Sequence, residues 1–195
     1  KPIEIEDQLV TSQHSLEIDG RTLNYTATAG TFVLREEDEE GRARQKASIF
    51  FVAYTLDGVE ESAKRPLTFS FNGGPGSSSV WLHMGLLGPW RVDLGQDGHL
   101  PPPPYRLVEN AHSLLDVCDL VFIDPVSTGY SRPAPGEEAK QVHGLEEDLA
   151  SVGEFIRLFV TRYGRWLSPK FLVGESYGTT RAAGLAGHLQ ERHGL

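Results

Sequence analysis

Apolar and polar positions alternate through the first third of the chain. Ser15–Ile18, Thr22–Thr28, Thr31–Arg35 and Ala47–Thr55 carry β-branched and aromatic residues in near-alternation, which predicts half-buried antiparallel strands. Between the last two, Glu36-Glu37-Asp38-Glu39-Glu40-Gly41 reads as a solvated hairpin tip rather than an acidic binding site. From Pro66 the pattern changes. Leu67–Phe71 is a short apolar run that leads straight into a glycine-rich stretch. A helix is predicted from Ser77 to Leu87, stopped by Gly88-Pro89. Gly95 to Pro104 is a loop, because its four consecutive prolines exclude a helix or a central strand. Leu120–Ile123 is a fully apolar strand. Leu145, Leu149, Val152, Ile156, Phe159 and Tyr163 recur at spacings of about four and three, the stripe of an amphipathic helix. Phe171–Val173 is the next strand and Thr179–Arg192 the next helix. Antiparallel N-terminal strands leading into alternating strands and helices predict an α/β fold with a mostly parallel core sheet flanked by helices.

Length adds one constraint: 195 residues, at about 150 per domain, predict a single domain over 1–195. The chain carries 18 Lys and Arg against 27 Asp and Glu, a net charge of −9. That balance, with no basic run to offset it, argues against a nucleic-acid partner. No apolar stretch approaches the roughly 20 residues of a membrane span, so no membrane partner is expected. A single cysteine, Cys118, excludes an intrachain disulfide and a Cys-rich zinc site. Its place in the apolar segment Asp116–Asp124 predicts a buried, inert thiol. No pattern asks for a metal or a cofactor. Asn24-Tyr25-Thr26 fits a glycosylation sequon but falls in a predicted strand. The chain opens on Lys1-Pro2 without Met, so compartment is left open.

Two segments carry chemistry. Gly174-Glu175-Ser176-Tyr177-Gly178 matches G-x-S-x-G, with an apolar strand before it and a helix after it. A serine in so tight a turn needs small neighbours two residues away, and the helix N-terminus sets free N–H groups beside the reacting oxygen. Asn72-Gly73-Gly74-Pro75-Gly76-Ser77-Ser78 also joins a strand to a helix. It lacks the lysine of a phosphate-binding loop. A glycine-rich loop upstream of a nucleophile elbow instead supplies half of an oxyanion hole, the other half being the N–H after the serine. Those donors are Gly74 and Tyr177.

With these segments the chain resembles the N-terminal part of a serine carboxypeptidase, an α/β-hydrolase family. The resemblance rests on Asn72–Ser78, on Gly174–Gly178 and on the stretch Asn110–Ser131. Within the last, Pro125-Val126-Ser127-Thr128-Gly129-Tyr130-Ser131 is similar to a wall of the family's site, and Asn110 and Ser113 fall where the family keeps an Asn-x-x-Ser pair. The resemblance implies an α/β-hydrolase-like sheet and Ser176 as the acylating nucleophile, with Gly74 and Tyr177 as oxyanion donors. It further implies that Asn72, the Gly73 N–H and Glu175 bind the α-carboxylate of a peptide substrate. A carboxyl group can hydrogen-bond a carboxylate only when protonated, so such a site favours acidic pH. The chain departs from the family at Leu86, where a glutamate pairs with the elbow glutamate. Further departures are Ser70 for tryptophan, Ser77 for cysteine, Thr179-Thr180-Arg181 after the elbow, and Asp124 directly before Pro125.

In this fold the triad runs Ser, Asp, His, with the last two well downstream. The histidines here are His14, His83, His99, His112, His143, His188 and His193. His188 and His193 fall on the helix leaving the elbow, and only His83 lies close behind the glycine loop. The expectation is therefore a chain truncated after the nucleophile helix, with nucleophile and oxyanion hole present, triad Asp and His absent, and no turnover by itself. The expected activity of the whole is serine-type removal of C-terminal residues from peptides through an acyl-enzyme. The alternatives are an esterase or acyltransferase on the same fold, or a non-catalytic fragment. The expected partners are a peptide substrate and, through the open Phe171–Val173 edge, a second copy or the missing C-terminal part.

Overall fold

A computed structural model describes residues 4–38, 40–95, 97–137 and 144–195. Among the described residues there are nine strands: β1 (Gln8–Ile18), β2 (Arg21–Glu37), β3 (Ala43–Leu56), β4 (Leu67–Phe71), β5 (Trp90–Val92), β6 (Leu107–Glu109), β7 (Asp119–Ile123), β8 (Arg132–Pro133) and β9 (Lys170–Gly174). The helices are α1 (Val80–Leu82), α2 (Leu145–Arg162) and α3 (Tyr177–His188). The main sheet runs β1-β2-β3-β7-β4-β9, with β8 added to β3. Pairing is antiparallel from β1 through β7 and parallel from β7 through β4 to β9. The expected change from antiparallel to parallel strands falls at β7. Strands β5 and β6 form a separate antiparallel ribbon.

Strand β1 is longer than the expected Ser15–Ile18; β5, β6 and β8 are additional to the sequence reading, and three further elements differ from it. The two segments expected over Thr22–Thr28 and Thr31–Arg35 are one strand, because Gly30 continues β2 without a break. A Cβ at Gly30 would collide with the main chain of Gln8 on β1, so the glycine permits close pairing there. The helix expected over Ser77–Leu87 is shorter: α1 gives way at His83 to a π-helical turn, His83–Leu87. The helix after the elbow starts earlier than Thr179, at Tyr177, and ends in a π-helical turn, Leu189–His193. The hairpin tip is as expected. Asp38 accepts from the Arg42 N–H (2.8 Å) and the Glu40 N–H (3.0 Å), closing an exposed acidic turn.

Alternation along β3 sends Ala47, Ile49, Phe51 and Ala53 into one core. There they meet Phe32 of β2, Phe69 and Phe71 of β4, and the α2 stripe of Val152, Phe155, Ile156, Phe159 and Val160. The Phe155 and Phe159 rings lie 5.2 and 5.7 Å from the Phe51 ring, and Phe159 lies 5.7 Å from Phe69. Burying each such side chain contributes about 1.5–3 kcal/mol. Strand β7 is apolar throughout its middle because both faces are covered. Val121 and Ile123 join this core, while Leu120 and Phe122 join a second cluster with Tyr25, Leu82, Leu87 and Leu115. Cys118, which immediately precedes β7, belongs to the second cluster. Its Sγ lies 3.2 Å from the Thr68 hydroxyl, and burial pushes the thiol pKa up, as suits an inert residue. At the start of β7, Asp119 accepts from Arg65 Nε (2.9 Å), Arg165 Nη1 (2.6 Å) and the Leu56 N–H (3.0 Å). Strand β9 pairs with β4 alone among the described residues.

Candidate active site

The elbow is a turn of two residues between β9 and α3. Ser176 takes φ 55° and ψ −124°, a conformation that costs a non-glycine residue roughly 1–3 kcal/mol and persists only where its surroundings impose it. They do so on both sides. The Gly178 N–H donates to the Glu175 carbonyl (2.8 Å), and the Thr179 N–H and Oγ1 donate to the Ser176 carbonyl (2.9 and 2.7 Å). A Cβ at Gly174 would collide with the Gly178 carbonyl, and one at Gly178 would stand 2.7 Å from the Phe71 carbonyl. One glycine lets the turn close on itself, and the other lets it press against the end of β4.

Pairing of Phe71 with Gly174 sets the ends of β4 and β9 side by side, so the glycine loop after β4 meets the elbow. Gly73 is the point of contact: a Cβ there would lie 2.5 Å from the Tyr177 nitrogen and 2.7 Å from the Glu175 carbonyl oxygen. Gly74 follows at φ 111°, a conformation open to glycine. The buried Asn72 links loop, elbow and helix. Its Nδ2 donates to Glu175 Oε2 (3.1 Å), and its Oδ1 accepts from the Leu82 N–H (3.1 Å). Asn72, Gly73, Gly74, Glu175 and Ser176 line one cleft of about 560 Å³, with Trp81, Leu82 and Leu86. Tyr177 instead faces a neighbouring hollow of about 330 Å³, shared with Pro75, Gly76, Pro125, Val126, Ser127 and Asp148. As the first residue of α3 its N–H has no acceptor within the helix.

The surrounding stretch fixes this cleft by hydrogen bonds to main chain. Asn110 Nδ2 donates to the carbonyls of Leu86 (2.7 Å) and Gly88 (2.8 Å), and Ser113 Oγ donates to that of Leu87 (2.8 Å). The Asn-x-x-Ser pair thus holds the π-helical turn that carries Leu86. Asp124 accepts from the Ser79 N–H (2.9 Å) behind the glycine loop. Gly129, at φ 46°, leaves room for the Asp124 carboxylate, which a Cβ would strike. Burial pushes the Asp124 pKa up.

None of the described histidines lines the cleft of Ser176. His83 packs away from it, with Nε2 2.7 Å from the Tyr54 hydroxyl and its ring 4.4 Å from that of Phe122. Enclosure lowers its pKa to about 4. His188 and His193 lie edge to face at the end of α3. His14, His99 and His112 are exposed, and His143 lies outside the described residues. Among the described residues no cluster of three or more His, Cys, Asp or Glu is placed to hold a metal ion.

The sequence pattern of serine carboxypeptidases matches residues 39–193, a span that takes in elbow, glycine loop and wall. The chain belongs to the serine carboxypeptidase family. Among curated family members, it is 33% identical over 156 residues to the pheromone-processing carboxypeptidase KEX1 of Saccharomyces cerevisiae, covering 76% of this chain and 20% of that protein. A carboxypeptidase Y homolog of Arthroderma benhamiae is 31% identical, covering 67% of this chain and 24% of its own. The crystal structure of KEX1(delta)p, a prohormone-processing carboxypeptidase from Saccharomyces cerevisiae, superposes with a TM-score of 0.63 at 26% identity. It covers 84% of this chain and 33% of the solved one. The chain therefore spans about a fifth of the length of KEX1, and its α/β-hydrolase-like sheet is the fold of that serine carboxypeptidase structure.

Sequence reasoning missed three of the residues around the serine. Trp81, 70% exposed, contributes to the cleft from α1, and its place five residues after Gly76 was the available signal. Arg181 and Asp148 form a buried ion pair of 2.8 Å under the glycine loop. An arginine one turn into an apolar helix was visible in the sequence, but its partner 33 positions earlier was not.

Proposed function

We propose that Ser176 is the acylating nucleophile of a hydrolase that removes C-terminal residues from peptides. The observation that carries this reading is the elbow: a serine at φ 55° opening a helix, in one cleft with a glycine loop and an Asn72–Glu175 pair. Ser176 Oγ attacks the scissile carbonyl while the amides of Gly74 and Tyr177 receive the oxyanion, each such donor lowering the barrier by roughly 3–4 kcal/mol. Asn72, the Gly73 N–H and Glu175 hold the substrate α-carboxylate. An imidazole from outside the described residues takes the serine proton and returns it to the leaving amine, and water then releases the acyl group. Alone, the chain labels slowly with serine-directed phosphonates and associates through β9 with a second copy or with a C-terminal segment.

Leu86 in this cleft supports a second reading, an esterase or acyltransferase, because it sets an apolar side chain where a partner for Glu175 would stand. Hydrolysis of a blocked dipeptide, its C-terminal amide and its ester by the protein encoded by the full gene separates the two. Preference for the free acid over the amide by about tenfold or more supports the peptidase. Equal rates on acid and amide, with the ester fastest, support the second reading.

A further inference from the structure

We propose that Arg181 is a positioning residue for the oxyanion loop, acting through the main chain of Asn72. The inference rests on the reading of Ser176 as nucleophile and adds a residue that never touches the substrate. The β4–β9 ladder ends where Phe71 pairs with Gly174, since β9 turns away there into the elbow. The Asn72 carbonyl is thus one residue beyond any strand partner. Arg181 takes its place: Nη1 donates to the Asn72 carbonyl at 2.8 Å, and Nε donates to Asp148 Oδ2 at 2.8 Å. The guanidinium carbon lies 5.3 Å from the ring of Phe71 and 5.3 Å from that of Tyr177.

These contacts fall next to both oxyanion donors. Asn72 precedes Gly73-Gly74, and Tyr177 follows Ser176. One guanidinium therefore sets the spacing between loop and elbow, and Asp148 on α2 fixes the guanidinium. The arrangement is poorly suited to stability alone. Arg181 is wholly buried and its Nη2 has no hydrogen-bond partner among the described residues, whereas an apolar pair of similar volume commonly serves a core as well or better. Lysine cannot replace it, since a single ammonium lacks the planar fork that reaches the carbonyl and the carboxylate together.

The test uses Arg181→Lys and the apolar pair Arg181→Met with Asp148→Leu. Melting temperature, kcat and KM on a blocked dipeptide, and the amide resonances of glycine-labelled protein are measured for each in the protein encoded by the full gene. The double variant is expected to melt near the wild-type temperature while kcat falls by about 30- to 100-fold with little change in KM. The Gly73 and Gly74 amides move in both variants, whereas those of Gly20 and Gly187 stay in place. Wild-type kcat and unmoved Gly73 and Gly74 resonances in a stable double variant would overturn the proposal. Should that variant fail to fold, the Gly73 and Gly74 resonances of Arg181→Lys decide in the same way. If the wild-type protein hydrolyses no peptide or ester, the reading of Ser176 fails, and the resonances still decide whether Arg181 positions the loop.

Discussion

Where β3 packs on α2 side chains carry the packing, whereas where β4 meets β9 the main chains themselves are in contact. Phe32, Ile49 and Phe51 fill the core through rings and branches, and such contacts can be repacked by other rotamers. At the elbow, Gly73 stands against the Tyr177 nitrogen and Gly178 against the Phe71 carbonyl, and no rotamer relieves a contact between two backbones. The first region is a packing problem with many solutions. The second holds a serine at positive φ, a state that its neighbours must impose. What distinguishes the site is therefore the glycines that let two loops touch.

The sharpest way to break this comparison is one methyl group. Gly73→Ala is expected to cost about 1–3 kcal/mol as the loop is pushed off the elbow. In the protein encoded by the full gene it should also reduce kcat by about 100-fold through displacement of the donors. Gly76→Ala, three residues on, has nothing within 4 Å of its added Cβ and should leave both melting temperature and kcat near wild type. Equal losses in the two variants would mean that loop flexibility, not the contact at Gly73, matters.

A smaller effect is expected where the two regions join, at His83 between Tyr54 of β3 and Phe122 of β7. Its pKa falls from 6.5 to about 4 in the folded protein, so between those values the unfolded chain binds a proton that the native protein refuses. His83 therefore contributes a loss of stability as pH falls from 6.5 to 4, up to about 3 kcal/mol. Asp124 works in the opposite direction, because its raised pKa makes its protonation favour the folded state. The difference between the wild-type and His83→Gln melting profiles isolates the histidine. A constant difference across pH 4–7 would show that His83 titrates normally.

The smallest effect belongs to the hairpin tip, at the far end of the region built from side chains. Glu40 pairs with Arg42 at 2.7 Å, but both side chains are exposed. Glu40→Gln should shift the melting temperature by no more than about 2 °C. A larger shift in calorimetry would mean that the tip is tied to the rest of the sheet.

The two regions also differed in how far their sequence disclosed them. Alternation over Ala47–Thr55 identified the inward face of β3, and the α2 stripe identified the helix beneath it, because burial there is a property of single positions. The break placed at Gly30 was an error of the same method, since glycine ends many strands and here serves close pairing with β1. The elbow and the glycine loop were legible for a different reason: their geometry admits few residues. The shortened α1 was not legible, because the π-helical turn after it is held by Asn110 and Ser113 from a distant segment. The Arg181–Asp148 pair escaped for the same cause, being a contact between helices that no local pattern encodes.

The most direct test is to trap the acyl-enzyme. The protein encoded by the full gene is mixed with an activated ester, quenched in acid and mapped by peptide mass spectrometry. A stoichiometric adduct on Ser176 that is absent from Ser176→Ala, with peptide hydrolysis lost by about 10⁴-fold or more in that variant, is the predicted result. An adduct on Ser77, Ser78 or Ser79 instead, or hydrolysis that survives Ser176→Ala, would contradict the account.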